Sequence, residues 1–209
     1  MKHTIITFCL VISCLFAFAQ AFEGEIIYKN TYKSKDPTIT DQKFTAMMGS
    51  QQNYYIKDGD YRSETNGNLM FWQLYINTDN MLYSKFVNSE QILWNNASVN
   101  NDRVIGSVLH KNADIILGYE CDELVLTCKS GIQKYYFSSK LPIDNRLFIN
   151  HKYGNWHTYL LKANAVPLKM VIENSQYTLE SVATTVKHMQ LDKKMFQLPA
   201  GAKTAKSPY

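Results

Sequence analysis

The chain has 209 residues, a formal net charge of +4 at pH 7 and an aromatic content of 13 %. This length is sufficient for one domain with a hydrophobic core, and the small charge argues against a basic surface for nucleic acid or membrane. The 14 tyrosines, beside only 9 glycines and 5 prolines, are typical of β-strands with half-buried aromatic side chains.

Residues 1–21 have the layout of a secretory signal peptide. A short basic start, Met1–His3, precedes an apolar run, Thr4–Phe18, and the small residues Ala19 and Ala21 follow it. The run is too short for a stable membrane anchor, and no later apolar stretch reaches membrane-spanning length. We therefore expect cleavage after Ala19 or Ala21 and export to the periplasm or the medium.

The alternative is lipid attachment at Cys14. The segment Val11–Cys14 resembles the lipidation box of a bacterial lipoprotein. The apolar run continues as far as Phe18, however, where a lipoprotein normally carries a polar tether. Cleavage after Ala19 or Ala21 is therefore the favoured prediction, and a lipoprotein anchored at Cys14 is the minor one.

The first half of the mature chain reads as short strands joined by tight turns. The segment Asp58–Asp60 is a strong turn signal in which Gly59 takes a positive φ. The predicted strands are Glu23–Lys33, Asn53–Lys57, Tyr61–Glu64, Leu69–Asn77, Met81–Val87 and Gln91–Trp94. Successive hairpins of this kind indicate an antiparallel meander.

The second half adds more strands and one helix. The polar segment Asn95–Asn112 could form a short helix or an ordered loop. Lys152–Asn164 is the best helix candidate, because apolar residues recur at helical spacing and a proline follows its end. The predicted strands are Ile115–Thr127, Ile132–Phe137, Pro167–Glu173 and Tyr177–Met189. We expect one mainly β (α+β) domain over residues 22–200, followed by a polar tail over residues 201–209.

No motif of a catalytic, metal or cofactor site is present in the sequence. The histidines are scattered, and His151 and His157 lie six residues apart rather than the four that would place two metal ligands on one helix face. The spacing of Cys121 and Cys128 on one extended strand favours two unbonded thiols, although export makes a disulfide chemically possible. We therefore expect no enzyme activity, no metal and no cofactor.

The abundance of aromatic residues is the most unusual feature of this sequence. One interpretation is that they pack only in the core. The other is that some of them line an apolar groove, and the candidate lining residues are Phe71, Trp72, Tyr75, Trp156 and Leu160.

The order of several short motifs is similar to that of a known family. The motifs are Phe22-x-Gly24-x-Ile26-x-Tyr28, Tyr55-Ile56-Lys57-Asp58-Gly59-Asp60-Tyr61-Arg62, Ile116-Leu117-Gly118-Tyr119-Glu120-Cys121, Pro167-Leu168-Lys169-Met170 and Phe196-x-Leu198-Pro199-Ala200-Gly201. They resemble a family of secreted Gram-negative proteins whose fold is similar to the LolA/LolB-like lipoprotein carriers. The resemblance implies an antiparallel unclosed half-barrel, with one or two short helices on its concave face. It brings no catalytic residues.

Three functions follow as hypotheses. The first is a non-enzymatic exported protein that binds an apolar ligand, such as a lipid, a fatty acid or a lipoprotein, on the concave face. The second is a structural or interaction protein of the cell envelope with a filled core. The third, a hydrolase, is disfavoured because the sequence offers no pair of nucleophile and base. A nucleic-acid partner is not expected, and the oligomeric state is open.

Overall fold

The computed structural model describes residues 21–208. Residues 1–20 of the predicted signal peptide, with Cys14 and Ala19, lie outside these residues, so cleavage and lipidation stay predictions. The strands are β1 Gly24–Ser34, β2 Gln51–Lys57, β3 Asp60–Thr65, β4 Met70–Ile76, β5 Met81–Phe86, β6 Ile92–Asn96, β7 Val104–Ile116, β8 Tyr119–Cys128, β9 Gly131–Pro142, β10 Ala165–Glu173, β11 Tyr177–His188 and β12 Thr204–Lys206. The helices are α1 Asp41–Met48 and α2 Trp156–Ala163, with 3₁₀ turns at Asn145–Phe148, Tyr153–Asn155 and Lys193–Phe196.

All twelve strands belong to one sheet, in the order β12-β6-β5-β4-β3-β2-β1-β11-β10-β9-β8-β7. Neighbouring strands are antiparallel, except that β12 runs parallel to β6. The two ends of the order, β12 and β7, do not pair within residues 21–208, so the sheet is an unclosed half-barrel. The predicted fold class, a mainly β antiparallel meander with short helices, is confirmed. Part of the predicted polar tail, β12, is a strand of this sheet.

The predicted turn at Asp58–Gly59 is confirmed. Asp58 has φ 48° and Gly59 has φ 88°, and both lie between β2 and β3. Two successive positive φ angles match the right-handed twist of the flanking strands. The turn thereby sets the register, in which Tyr54 lies opposite Ser63.

The segment Asn95–Asn112 was predicted as a helix or an ordered loop, and this prediction is wrong over its second half. Residues from Val104 onward belong to β7, which pairs only with β8 along the part of the chain described. Ile105 and Val108 remain 65 % and 55 % exposed. Val104 and Ile116 pack against the core at the two ends of β7, but no side chain between them is buried, so this part of the strand needs no alternation of apolar and polar residues and the period-two signal is missing.

The predicted helix Lys152–Asn164 is shorter in the structure. The chain forms a 3₁₀ turn at Tyr153–Asn155, and α2 begins at Trp156. Gly154 and Asn155 have φ angles of 62° and 64°, and left-handed residues of this kind interrupt an α-helix. Asn164, with φ 48°, ends α2 in the same conformation.

Two hydrophobic clusters lie on opposite faces of the sheet. We call the face that α2 covers the inner face, and it carries the main core, which includes Leu160, Tyr159 and Tyr75. The outer face carries a smaller cluster in which the turn Lys193–Phe196 packs Phe196 against Leu74. Within residues 21–208 no helix has the length and apolar content needed to cross a lipid bilayer.

Candidate functional site

A cavity of about 170 Å³ lies on the inner face, beside α2. Successive residues of a strand point to opposite faces, so every second residue of β2, β3 and β4 can reach it. Tyr54 lies opposite Ser63, and Ser63 lies opposite Gln73, which brings these three residues to one row of the inner face. Trp156, the first residue of α2, closes one wall.

The lining combines aromatic and neutral polar side chains. The apolar and aromatic members are Tyr28, Tyr54, Tyr61, Trp156, Pro167 and Met170, and the polar members are Gln52, Ser63 and Gln73. The polar members are held by neighbours: Gln52 Nε2 donates to Ser63 Oγ at 2.8 Å, and Gln73 Nε2 donates to Ser84 Oγ at 3.2 Å.

None of the lining side chains carries a charge at neutral pH. Burial raises the pKa of Tyr28, Tyr54 and Tyr61 above the ordinary value, because a phenolate would lose its hydration. The three hydroxyls therefore stay protonated and act as neutral hydrogen-bonding groups. The cavity can accept apolar surface and neutral polar atoms, and it offers no countercharge to an ion.

Two residues that line the cavity each carry a buried donor with no partner among residues 21–208, and neither donor atom is itself accessible to solvent. The donors are the hydroxyl of Tyr54, a residue that is only 8 % exposed, and Nε1 of Trp156. Neighbouring tyrosines differ, since Tyr28 donates to the carbonyl of Pro167 at 2.6 Å. A buried donor without a partner is uncommon, and each one calls for an explanation.

A buried histidine supports the cavity wall. A hydrogen bond of 2.8 Å joins the Tyr61 hydroxyl to Nε2 of His151. The centre of the His151 ring lies 4.2 Å from the centre of the Tyr75 ring. Burial lowers the pKa of His151 to about 4, so the ring is neutral at physiological pH. The pair fixes the ring of Tyr61 without introducing a charge.

The five predicted lining residues occupy four different environments. Trp156 lines the cavity, whereas Tyr75 and Leu160 are buried in the surrounding core of the inner face. Trp72 lies on the outer face, where the guanidinium of Arg62 sits 4.7 Å from its ring centre. Phe71 is 48 % exposed. The structure therefore brings three of the five to the inner face and separates Trp72 and Phe71 from them.

The sequence reasoning missed most of the lining. It grouped Phe71, Trp72 and Tyr75 as neighbours in sequence, although adjacent strand residues face opposite ways. The useful signal was the alternation across the β2–β3 hairpin, in which Tyr54, Tyr61 and Ser63 share one face.

Other parts of the described chain are less suited to a site. Cys121 and Cys128 are buried free thiols, and burial raises the pKa of both to about 11, which makes them poor nucleophiles. His110 and Glu123 form an ion pair, with 2.6 Å between Nδ1 and Oε2, and the Tyr136 hydroxyl donates to the other oxygen of Glu123 at 2.6 Å. Among residues 21–208 no group of three or more His, Cys, Asp or Glu side chains could hold a metal ion. A wider surface recess of about 400 Å³ is partly lined by charged residues such as Lys57, Asp60 and Lys193.

Comparisons with known proteins give only distant structural likenesses. No protein-family model matches the chain, and no curated protein sequence matches it. Among solved structures, it is similar to the crystal structure of a LolA superfamily protein from Nitrosomonas europaea. The identity is 9 % and the TM-score 0.30, over 86 % of this chain and 91 % of that chain.

Proposed function

We propose that this protein is a non-enzymatic, exported binding protein that holds part of an apolar ligand, such as an acyl chain or a lipid-modified partner, in the inner-face cavity. The observation that carries the proposal is the cavity itself, which lies beside α2 and is lined by Tyr28, Tyr54, Tyr61 and Trp156. Concave sites lined mainly by aromatic side chains with a few polar groups are typical of small-molecule binding. The signal-peptide pattern of residues 1–21 adds the export.

The size of the cavity limits what enters it. A cavity of about 150 Å³ in another protein accommodates benzene, so about 170 Å³ corresponds to roughly six to eight non-hydrogen atoms. The inner face beneath α2 is filled, since Tyr159 and Leu160 of this helix are fully buried. The ligand therefore inserts one end or one segment, and a longer chain requires α2 to move.

Trp156 is the gate residue of this proposal. Its indole lines the cavity, and its ring centre lies 6.2 Å from that of Tyr61. The side chain is half-buried, so it stands between the cavity and solvent. Tryptophan emission depends on its surroundings, and a ligand that enters should change it. Replacing Trp72 and Trp94 by phenylalanine leaves Trp156 as the reporter.

The test is a titration of that reporter protein with a short-chain phospholipid and with an acylated peptide, together with melting curves. Binding stabilises the folded protein by mass action, by about 2.7 kcal/mol at a ligand concentration one hundred times Kd. The melting temperature rises as a result. We expect saturable changes in emission and a higher melting temperature. Native mass spectrometry of protein from its own envelope fraction should show co-purified lipid. Failure of all three measurements would reject the proposal.

One observation favours a second candidate, an interaction protein of the cell envelope. The strand β7 is at the end of the described sheet, and Ile105, Val108 and Ile115 are 65 %, 55 % and 70 % exposed. An exposed edge strand with apolar side chains is a template for pairing with another chain. Sedimentation velocity of the parent protein and of Val108→Lys tests it, because pairing at β7 predicts an assembly that the lysine dissociates.

A further inference from the structure

We propose that the inner-face cavity recognises a neutral hydroxyl group attached to an apolar chain, as in a long-chain alcohol or an acylated glycerol, through the amide oxygens of two glutamines. These residues are Gln52 of β2 and Gln73 of β4, and both line the cavity. The inference rests on the proposed binding function and names the chemical class of its ligand. It is carried by the two amide oxygens, which are accessible to solvent and have no hydrogen-bond donor in the described chain.

The nitrogen of each amide is already bonded to a serine. Gln52 Nε2 donates to Ser63 Oγ at 2.8 Å, and Gln73 Nε2 donates to Ser84 Oγ at 3.2 Å. Each amide is thereby oriented, and its Oε1 points away from the serine. Among residues 21–208 no donor bonds to either Oε1. Neither oxygen is among the buried atoms that lack a partner, so both remain accessible to solvent.

The tyrosine hydroxyls beside the glutamines do not supply the missing donor. Tyr28 donates to the carbonyl of Pro167 at 2.6 Å, and the Tyr61 hydroxyl is bonded to Nε2 of His151 at 2.8 Å. A ligand that displaces water from the cavity must therefore donate to the amide oxygens itself or leave them unpaired, at a cost of about 1–3 kcal/mol each. A hydroxyl group donates such a hydrogen bond, whereas a hydrocarbon or an ether cannot.

The polar and apolar parts of the lining come from different elements, which determines how such a ligand lies. Gln52, Ser63 and Gln73 belong to the neighbouring strands β2, β3 and β4, and Ser63 lies directly opposite Gln73. Apolar surface comes from Trp156 of α2 and Met170 of β10. The hydroxyl therefore points towards β2–β4, and the apolar chain lies against α2 and β10.

The absence of charge from the lining favours a hydroxyl over a charged donor. An ammonium group could also donate to the amide oxygens. It would lose hydration on entering, however, and no aspartate or glutamate is among the residues that line the cavity. A hydroxyl group is neutral and loses much less hydration. The site therefore selects a neutral donor on an apolar ligand.

The experiment compares two isomers, hexan-1-ol and 1-methoxypentane, with toluene as the apolar reference. The isomers have the same formula, and only the alcohol can donate a hydrogen bond. Dissociation constants for the full mature chain come from ligand-observed NMR titration. We expect hexan-1-ol to bind about three- to tenfold more tightly than 1-methoxypentane, the factor that corresponds to one net hydrogen bond.

The variants replace the amides by an apolar side chain of similar length. Gln52→Met and Gln73→Met should each reduce the preference for the alcohol, and the double variant should bind the two isomers with equal affinity. Toluene should bind all of these variants at least as tightly as the parent protein. Gln51→Met is the matched control, because Gln51 is the exposed neighbour of Gln52 on β2 and points to the opposite face. It should leave all three affinities unchanged.

The remaining outcomes separate this inference from the proposed function. If toluene binds but the parent protein binds the ether as tightly as the alcohol, or more tightly, the hydroxyl assignment is overturned and apolar binding stands. A preference for the alcohol that persists in the double variant, or that Gln51→Met also removes, overturns the role of the two amides. If the double variant does not fold, the single variants decide this point. Absence of binding by all three probes overturns the proposed use of the cavity as well.

Discussion

The turn at Asp58–Gly59 gives a prediction whose size can be worked out from the structure. Gly59 has φ +88°, and a Cβ added there would lie 2.6 Å from Nδ2 of Asn77 and 2.8 Å from Cβ of Leu147. Asn77 Nδ2 donates to the carbonyl of Leu147, so the turn packs against the 3₁₀ segment beside the inner face. We predict that Gly59→Ala destabilises the fold through both the backbone and the contact.

The magnitude is a sum of three effects. A left-handed conformation costs an alanine about 1–2 kcal/mol. Displacing Asn77 and Leu147 adds about 1–3 kcal/mol, because Leu147 is met at its Cβ, which moves only with the backbone. The loss of flexibility in the unfolded chain returns about 0.4–1 kcal/mol. The expected loss is therefore about 1–4.5 kcal/mol, and Gly59→Val should lose more because its β-branched side chain tolerates this φ poorly.

Alanine substitutions at two other glycines separate the backbone cost from the cost of the side-chain contact. Gly118 has φ +79° with no atom within 4 Å of an added Cβ, so Gly118→Ala tests the backbone effect alone. Gly106 has neither a left-handed φ nor a close neighbour, so Gly106→Ala should be neutral or slightly stabilising. Urea unfolding followed by circular dichroism measures all three, provided that the m values agree. Equal stabilities of Gly59→Ala and Gly106→Ala would refute the reasoning, and equal losses for Gly59→Ala and Gly118→Ala would refute the contact with Leu147.

Three further predictions concern the inner face and the amino terminus. Leu160→Ala should lower the free energy of unfolding by about 3–4 kcal/mol because Leu160 is fully buried. Trp156→Ala should lower it by about 2 kcal/mol because the indole is only half-buried. Urea denaturation measures both variants, and the reverse order would make Trp156 a core residue. Burial lowers the pKa of His151 to about 4 from about 6.5. The neutral ring therefore contributes its full share to the stability of the fold above pH 6.5, and about 3 kcal/mol of folding free energy is lost as the pH falls towards 4. His151→Phe should flatten the stability profile over this window, and an unchanged profile would contradict the shift. Sequencing of the exported protein should show cleavage after Ala19 or Ala21, and a lipid-bearing amino-terminal cysteine would contradict it.

The sequence was sufficient to predict those features of the fold that depend on local backbone and side-chain preferences. The turn at Gly59 needs a residue that tolerates positive φ, and the flanking strands need alternating apolar residues, so both were predictable. The helix α2 was found from its spacing, but its start was misplaced because the prediction ran the helix through Gly154 and Asn155, two residue types that readily take a left-handed conformation. The strand β7 was missed because no side chain between Val104 and Ile116 is buried, and pairing with β8 makes this segment a strand.

The cavity lay beyond sequence reasoning for a different reason. Its walls come from Tyr28, Tyr54, Trp156 and Met170, which are far apart along the chain and meet only when the sheet has curved. The sequence shows that these residues are large, but not which of their polar atoms find partners. The unpartnered state of the Tyr54 hydroxyl is a property of the packed structure and has no local sequence signature.

That unpartnered hydroxyl also bears on the choice between a binding protein and a scaffold. Each buried donor without a partner costs about 1–3 kcal/mol, a large fraction of the 5–15 kcal/mol by which folded domains are stable. In a scaffold with a filled core, phenylalanine at position 54 would give the same packing without this cost. Both donors belong to residues that line one cavity, although neither atom is itself accessible to solvent. A filled structural core gives no reason to keep either polar atom, so a scaffold role leaves this cost unexplained; if the two residues serve a ligand, its binding must first move side chains around the cavity.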